Sequence, residues 1–164
     1  MEWTNEFRGR IEDFTTRIPP RPREIAVSIK IRPQSGCFHR EHSPRAYEII
    51  DAAIAKKKLH RTALVEHESG PEILTWIPLS VAGMTISAAV INLVAAIIRA
   101  RAEGAKKGDQ AYAPAHVIVR TIRTDGAYRE EDVIQVECTT PVTEIEIEEA
   151  LTSGIKSLAD KKRK

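Results

Sequence analysis

The stretch ILTWIPLSVAGMTISAAVINLVAAII, from Ile73 to Ile98, runs for 26 residues without a formal charge. That exceeds the roughly 18 apolar residues at which a membrane-spanning helix has to be considered. Read as one helix, it opens at Gly70-Pro71-Glu72 and closes where Arg99, Arg101, Lys106 and Lys107 favour the negative end of the helix dipole. Pro78 kinks it near Trp76, because proline lacks an amide proton and clashes with the preceding turn. Ala88, Asn92, Ala96 and Ala100 recur every four residues, with Gly83 and Ser87 on a neighbouring track, so this side admits close approach of another element. A helix apolar all round needs cover on several sides, from a sheet and a partner or from lipid, and Asn92 needs a hydrogen-bond partner in either setting.

Upstream, Ile25, Val27, Ile29 and Ile31 alternate with Ala26, Ser28 and Lys30, the period of a half-buried strand that Pro33 ends. Ser43-Pro44 then reads as an N-cap followed by proline at the first helical position. Tyr47, Ile50 and Ile54 line one face of that helix, and Lys56, Lys57 and Lys58 lie at its end. Thr62 to His67 is a second strand, and the order permits a crossover unit. Before all of this comes an amphipathic arm with Trp3, Phe7, Ile11 and Phe14 at helical spacing, tethered by Pro19-Pro20-Arg21-Pro22. Three of the chain's eight aromatic residues lie in the arm, which marks it as a piece that docks.

Downstream, Gly104 to Ala113 reads as a loop. His116 to Thr124 and Ala127 to Cys138 form a hairpin about Asp125-Gly126. Thr143 and Glu146 match a capping box, after which Ile147, Leu151, Gly154, Ile155 and Leu158 form one helical face. The expected architecture is α+β: a small mixed sheet of about four strands, in the order β-α-β-α-β-β-α, packed on a long apolar helix. The arm and its proline-rich link occupy residues 1–23, a single domain 24–160, and a basic tail 161–164.

With 42% hydrophobic and 29% charged residues, the 164-residue chain lies outside the disordered and low-complexity classes. Two cysteines make no disulfide framework, and no charged-then-apolar leader opens the sequence, so a reducing cytoplasmic setting is expected, with membrane association as the alternative. The net charge is +2, and without Lys161, Lys162, Arg163 and Lys164 it becomes −2. The basic character therefore belongs to a tail, expected to be solvated rather than a nucleic-acid contact.

Cys37, His39 and His42 make a Cys-x-His-x-x-His cluster that holds zinc if His60 or His67 supplies a fourth ligand. Glu66, His67 and Glu68 precede Ser69-Gly70-Pro71, a place where acid/base groups sit near a surface. Strand alternation, however, sends the two carboxylates to the face opposite His67. No phosphate loop, nucleophile elbow or dinucleotide-binding glycine pattern occurs, so neither a catalytic residue nor a cofactor is assigned.

The order running from Ala82-Gly83 through the apolar helix to Arg101, then a strand, the Asp125-Gly126 turn, a second strand and a helix with an acidic start, resembles the effector-associated constant-component domains of prokaryotic conflict systems. The resemblance covers the last two-thirds of the chain. It implies a small non-enzymatic adaptor or regulatory module that accompanies effectors such as proteases and nucleotide-dependent switches. The expected function is a protein-interaction module that self-associates through the long apolar helix. The alternatives are a membrane anchor spanning Ile73 to Ile98 and a small metal-dependent or acid/base enzyme.

Overall fold

The computed structural model describes residues 2–36, 38–56, 59–67, 70–80, 83–109, 113–138 and 141–159, the side chain of His67 apart. The elements are α1 (Glu2–Arg17), β1 (Glu24–Pro33), α2 (Pro44–Ala55), β2 (Thr62–His67), β3 (Gly70–Ser80), β4 (Gly83–Met84), α3 (Ala88–Lys106), β5 (Ala115–Ile122), β6 (Tyr128–Val136) and α4 (Glu144–Ala159).

The uncharged run is not one helix. Its first part is β3, a central strand hydrogen-bonded to β1 on one side and β2 on the other. Ile73, Leu74, Trp76 and Ile77 are buried on both faces of the sheet, which explains a continuous apolar run where a half-buried strand would alternate. Gly70-Pro71-Glu72 therefore opens a strand, and Pro78 lies opposite Glu24 at the end of the β1 pairing, past the last residue of β2 that pairs with β3. Proline is tolerated there because β2 requires no amide from it. The helix begins only at Ala88, where the Ser87 hydroxyl accepts from the Val90 amide at 3.2 Å. It continues to Lys106, into the stretch expected to be a loop. Among the described residues no helix is long and apolar enough to cross a membrane, which corrects the spanning reading of Ile73 to Ile98.

The sheet has six strands, in the order β2-β3-β1-β5-β6 with β4 paired to β3, and every pairing is antiparallel. The expected mixed sheet of about four strands is thus too small, and β3 separates the two strands of the expected crossover unit. From β1 to β5 the chain follows the split β-α-β connectivity of ferredoxin-like sheets, to which β6 and α4 are added.

Alternation along β1 divides the core in two. Val27, Ile29 and Ile31 face α2, α3 and α4 with Tyr47, Ile50, Leu93, Val94, Ile97, Leu151 and Ile155. Ala26 and the β3 residues Leu74 and Trp76 face α1, which buries Phe7, Ile11 and Phe14 against them. The arm thus docks as its aromatics suggest, on its own sheet. Full burial of each such ring is worth roughly 1.5–3 kcal/mol. The Trp76 indole donates to the Ile18 carbonyl (2.8 Å) and Arg8 to that of Gly126 (2.6 Å), fixing the middle and the C-terminal end of α1.

Asn92, expected in a buried helix, is exposed, as are Ala88, Ala89 and Arg99. The helix α3 is therefore open along one stripe, and the sheet, α2 and α4 cover the rest.

Candidate functional site

Beneath α1 lies the densest set of buried polar groups described. Ser28 and Lys30 on β1 and Glu72 on β3 have no exposure, and Arg120 on β5 has 3%. The antiparallel register sets Lys30 beside Glu72 and Ser28 beside Arg120. From α1, Arg10 Nε donates to Glu72 Oε1 at 2.8 Å, and Ser28 Oγ donates to Oε2 at 2.8 Å. Arg120 also donates to the carboxylate, and its guanidinium lies 4.6 Å from the centre of the Phe7 ring. Lys30 Nζ donates to the Gly70 carbonyl at 2.7 Å.

The electrostatics follow from this crowding. Burial pushes Glu72 up, but hydrogen bonding from Arg10 and the charge of Arg120 outweigh it and hold the carboxyl below its ordinary value. Burial also lowers the Lys30 ammonium to about 7, with Glu72 opposing and Arg120 assisting. An amine of that kind has the basicity of a general base. Lys30 is nevertheless sealed by the layer above, so the cluster pins α1 to the sheet rather than receiving a substrate.

This cluster escapes a reading of the sequence because Ser28 and Lys30 occupy the polar positions of β1, which alternation assigns to water. The signal that could have found it is Arg10, set among the buried arm residues Phe7, Ile11 and Phe14, together with Glu72 just ahead of the uncharged run.

Of the sequence-predicted metal ligands, Cys37 lies outside the described residues. His39 Nδ1 faces the Glu41 amide at 3.3 Å, and the His42 amide donates to the His39 carbonyl at 3.0 Å, so the two close a turn. His60 is exposed. Among the described residues no group of three or more His, Cys, Asp or Glu could hold a metal ion. Glu66 is held by Arg40 (2.5 Å), which also binds Asp51 (2.7 Å) and holds that carboxyl below its usual value. The structure thus gives Glu66 an arginine partner on the surface; Glu68 and the His67 side chain lie outside the described residues, as does the tail 161–164.

Two of the open clefts among the described residues bear on a binding role. A cleft of about 530 Å³ between β6 and α4 is lined by Glu131, Asp132, Glu146 and Glu149. Ser157 already donates to Glu131 (2.8 Å), and Asp132 lies 2.6 Å from His116 Nδ1. A second groove, of about 560 Å³, lies between the β3–β4 turn and the C-terminal half of α4, lined by Leu79, Ser80, Gly83, Met84, Thr152, Lys156 and Ala159. Separately, α3 carries an open stripe of Ala88, Ala89 and Asn92. At the other end of that stripe Arg99 pairs with Glu144 (3.1 Å), bringing up Ile145, which is 68% exposed.

Comparison with protein-family models, with curated proteins and with solved structures finds no match to this chain.

Proposed function

We propose that this chain is a non-enzymatic interaction module that pairs with a second copy of itself across the outer face of α3. The observation behind this reading is the exposed, uncharged face of α3 at Ala88, Ala89 and Asn92, with Ala96 half-buried, bordered by the Arg99–Glu144 ion pair. Interface centres are depleted of charge and rimmed by it, and small side chains let helices approach closely. A twofold arrangement would set one α3 against the other and cover both faces at once. The resemblance to constant-component domains of prokaryotic conflict systems extends the proposal: the paired module is an adaptor that accompanies an effector.

The test is the solution mass. Light scattering at micromolar concentration is expected to give a dimer for the unaltered chain and a monomer for Ala89→Glu, with unchanged circular dichroism. Ala89 is exposed in the first turn of α3, where a carboxylate favours the helix dipole, so the substitution spares the fold. A monomeric unaltered chain overturns the self-association.

A further inference from the structure

The sheet ends at β6, which among the described residues pairs with β5 alone. The other side of an edge strand presents its backbone amides and carbonyls outward, the template on which an extended chain adds to a sheet. The helix α4 lies along this edge. Its buried stripe of Ile147, Leu151, Gly154, Ile155 and Leu158 holds it to the sheet, and a Cβ at Gly154 would overlap Val133, so helix and strand are in direct contact. The next stripe round the helix, Glu146, Glu149, Ala150, Ser153 and Ser157, forms with Glu131 the walls of the groove of about 530 Å³. Val133, which also lines it, has no counterpart on β5: a bulge breaks the ladder there.

The charges in the groove select what it takes. Four carboxylate residues line it, and no lysine, arginine or histidine does. Asp132 is turned to His116 on β5 (2.6 Å), whereas Glu131 is held beside α4 by the Ser157 hydroxyl (2.8 Å). Among the described residues Glu131, Glu146 and Glu149 form no ion pair. Like charges on facing strands repel, so Glu130, Glu131 and Asp132 in succession reject a second copy of this edge. A basic strand gains where an acidic one loses.

We propose that the groove between β6 and α4 binds an extended, lysine- or arginine-bearing segment of a partner protein, which adds to the sheet as a strand beyond β6. Backbone pairing to β6 supplies the strength, and alternate side chains turned towards α4 supply the choice. The spacing of those side chains follows from the helix. Ser157, which holds Glu131, comes eight residues after Glu149, about 12 Å along the helix axis, and an extended chain covers that distance in about four residues. Side chains four apart on a strand share one face, with a third midway between them. The matching segment therefore carries a cation at each end, to meet Glu131 and Glu149, and a small residue midway, where Ala150 and Ser153 lie.

The probe is a peptide blocked at both termini, with threonine at every second position, two lysines four positions apart and an alanine midway, titrated calorimetrically into the full-length chain at low salt. It is expected to bind, and the same peptide with glutamates for lysines is expected not to. Two further versions carry N-methyl groups on alternate amides, one set or the other, at unchanged charge. An added strand turns alternate amides towards its neighbour, so one version is expected to lose at least about tenfold in affinity and the other less than about twofold. Glu146→Gln combined with Glu149→Gln, both exposed on α4, is expected to weaken the unmethylated peptide about fivefold at unchanged circular dichroism. No binding, equal affinity of the two N-methylated versions, or full affinity in the glutamine variant overturns the proposal. Binding gained only when residues 161–164 are removed also overturns it, and gives the groove to the chain's own basic tail.

Discussion

At Gly154 a single hydrogen atom decides whether α4 lies on the sheet. A Cβ there would overlap Val133 Cγ1 and come within 3.2 Å of Val119 Cγ2, so the helix backbone rests directly on β5 and β6. Gly154→Ala is expected to cost roughly 1–3 kcal/mol through overpacking. Gly9 offers the converse: it is exposed in α1, and a Cβ there meets nothing within 4 Å. Gly9→Ala should stabilise by up to about 1 kcal/mol from helix propensity alone. Urea midpoints of the two variants should move in opposite directions; a shift in the same direction contradicts this account of Gly154.

Among the elements, α2 begins where the sequence places it, at Pro44, but its cap is supplied from elsewhere. The Ser43 hydroxyl is buried without a partner and makes no cap bond. Asp109, which is 3% exposed and follows the end of α3, accepts from the Arg45 amide at 3.2 Å and the Ala46 amide at 2.9 Å. Its carboxylate satisfies two orphan amides and faces the positive end of the α2 dipole, tying one helix to the next. Asp109→Ala is expected to cost about 1–2 kcal/mol, whereas Ser43→Ala should be close to neutral because it removes a hydroxyl that bonds nothing. Thermal denaturation that ranks the two the other way would show that Ser43 is the working cap. The helix α4 illustrates the ordinary case, with Thr143 Oγ1 accepting from the Glu146 amide at 3.2 Å as its sequence pattern predicts.

Over the whole molecule, three layers share one sheet, and the layer formed by α1 rests on a charged cluster as well as on aromatic rings. This makes stability depend on pH in a defined direction. Lys30 titrates near 7 when folded and at its ordinary 10.5 when unfolded, so between these values the unfolded chain binds more protons. Stability therefore rises with pH from about 7 towards 10.5, by on the order of 5 kcal/mol, and the full penalty stays in place below 7. Above 10 the gain is opposed by Tyr128, whose phenol burial pushes up. Lys30→Met should be more stable than the unaltered chain at pH 7 and show little of the rise. Parallel stability curves for the two proteins would mean that Lys30 is not the group responsible.

Local chemistry in the sequence was enough to determine several elements. The alternation of Ile25 to Ile31 places β1, Ser43-Pro44 starts α2, Asp125-Gly126 turns the β5–β6 hairpin, and the five apolar positions from Ile147 to Leu158 are the buried face of α4. Each depends on contacts within a few residues. The run from Ile73 to Ile98 could not be divided in this way, because a strand buried on both faces and a buried helix are equally apolar. Only the pairing of β3 with β1 and β2, which brings together residues distant in sequence, tells them apart. The same holds for the buried cluster. Ser28 and Lys30 are polar residues on what is locally a solvent face, and they lose their water only because α1 folds back over them, with Arg10 and Arg120 arriving from other elements to meet Glu72. Charge compensation of that kind is a property of tertiary packing.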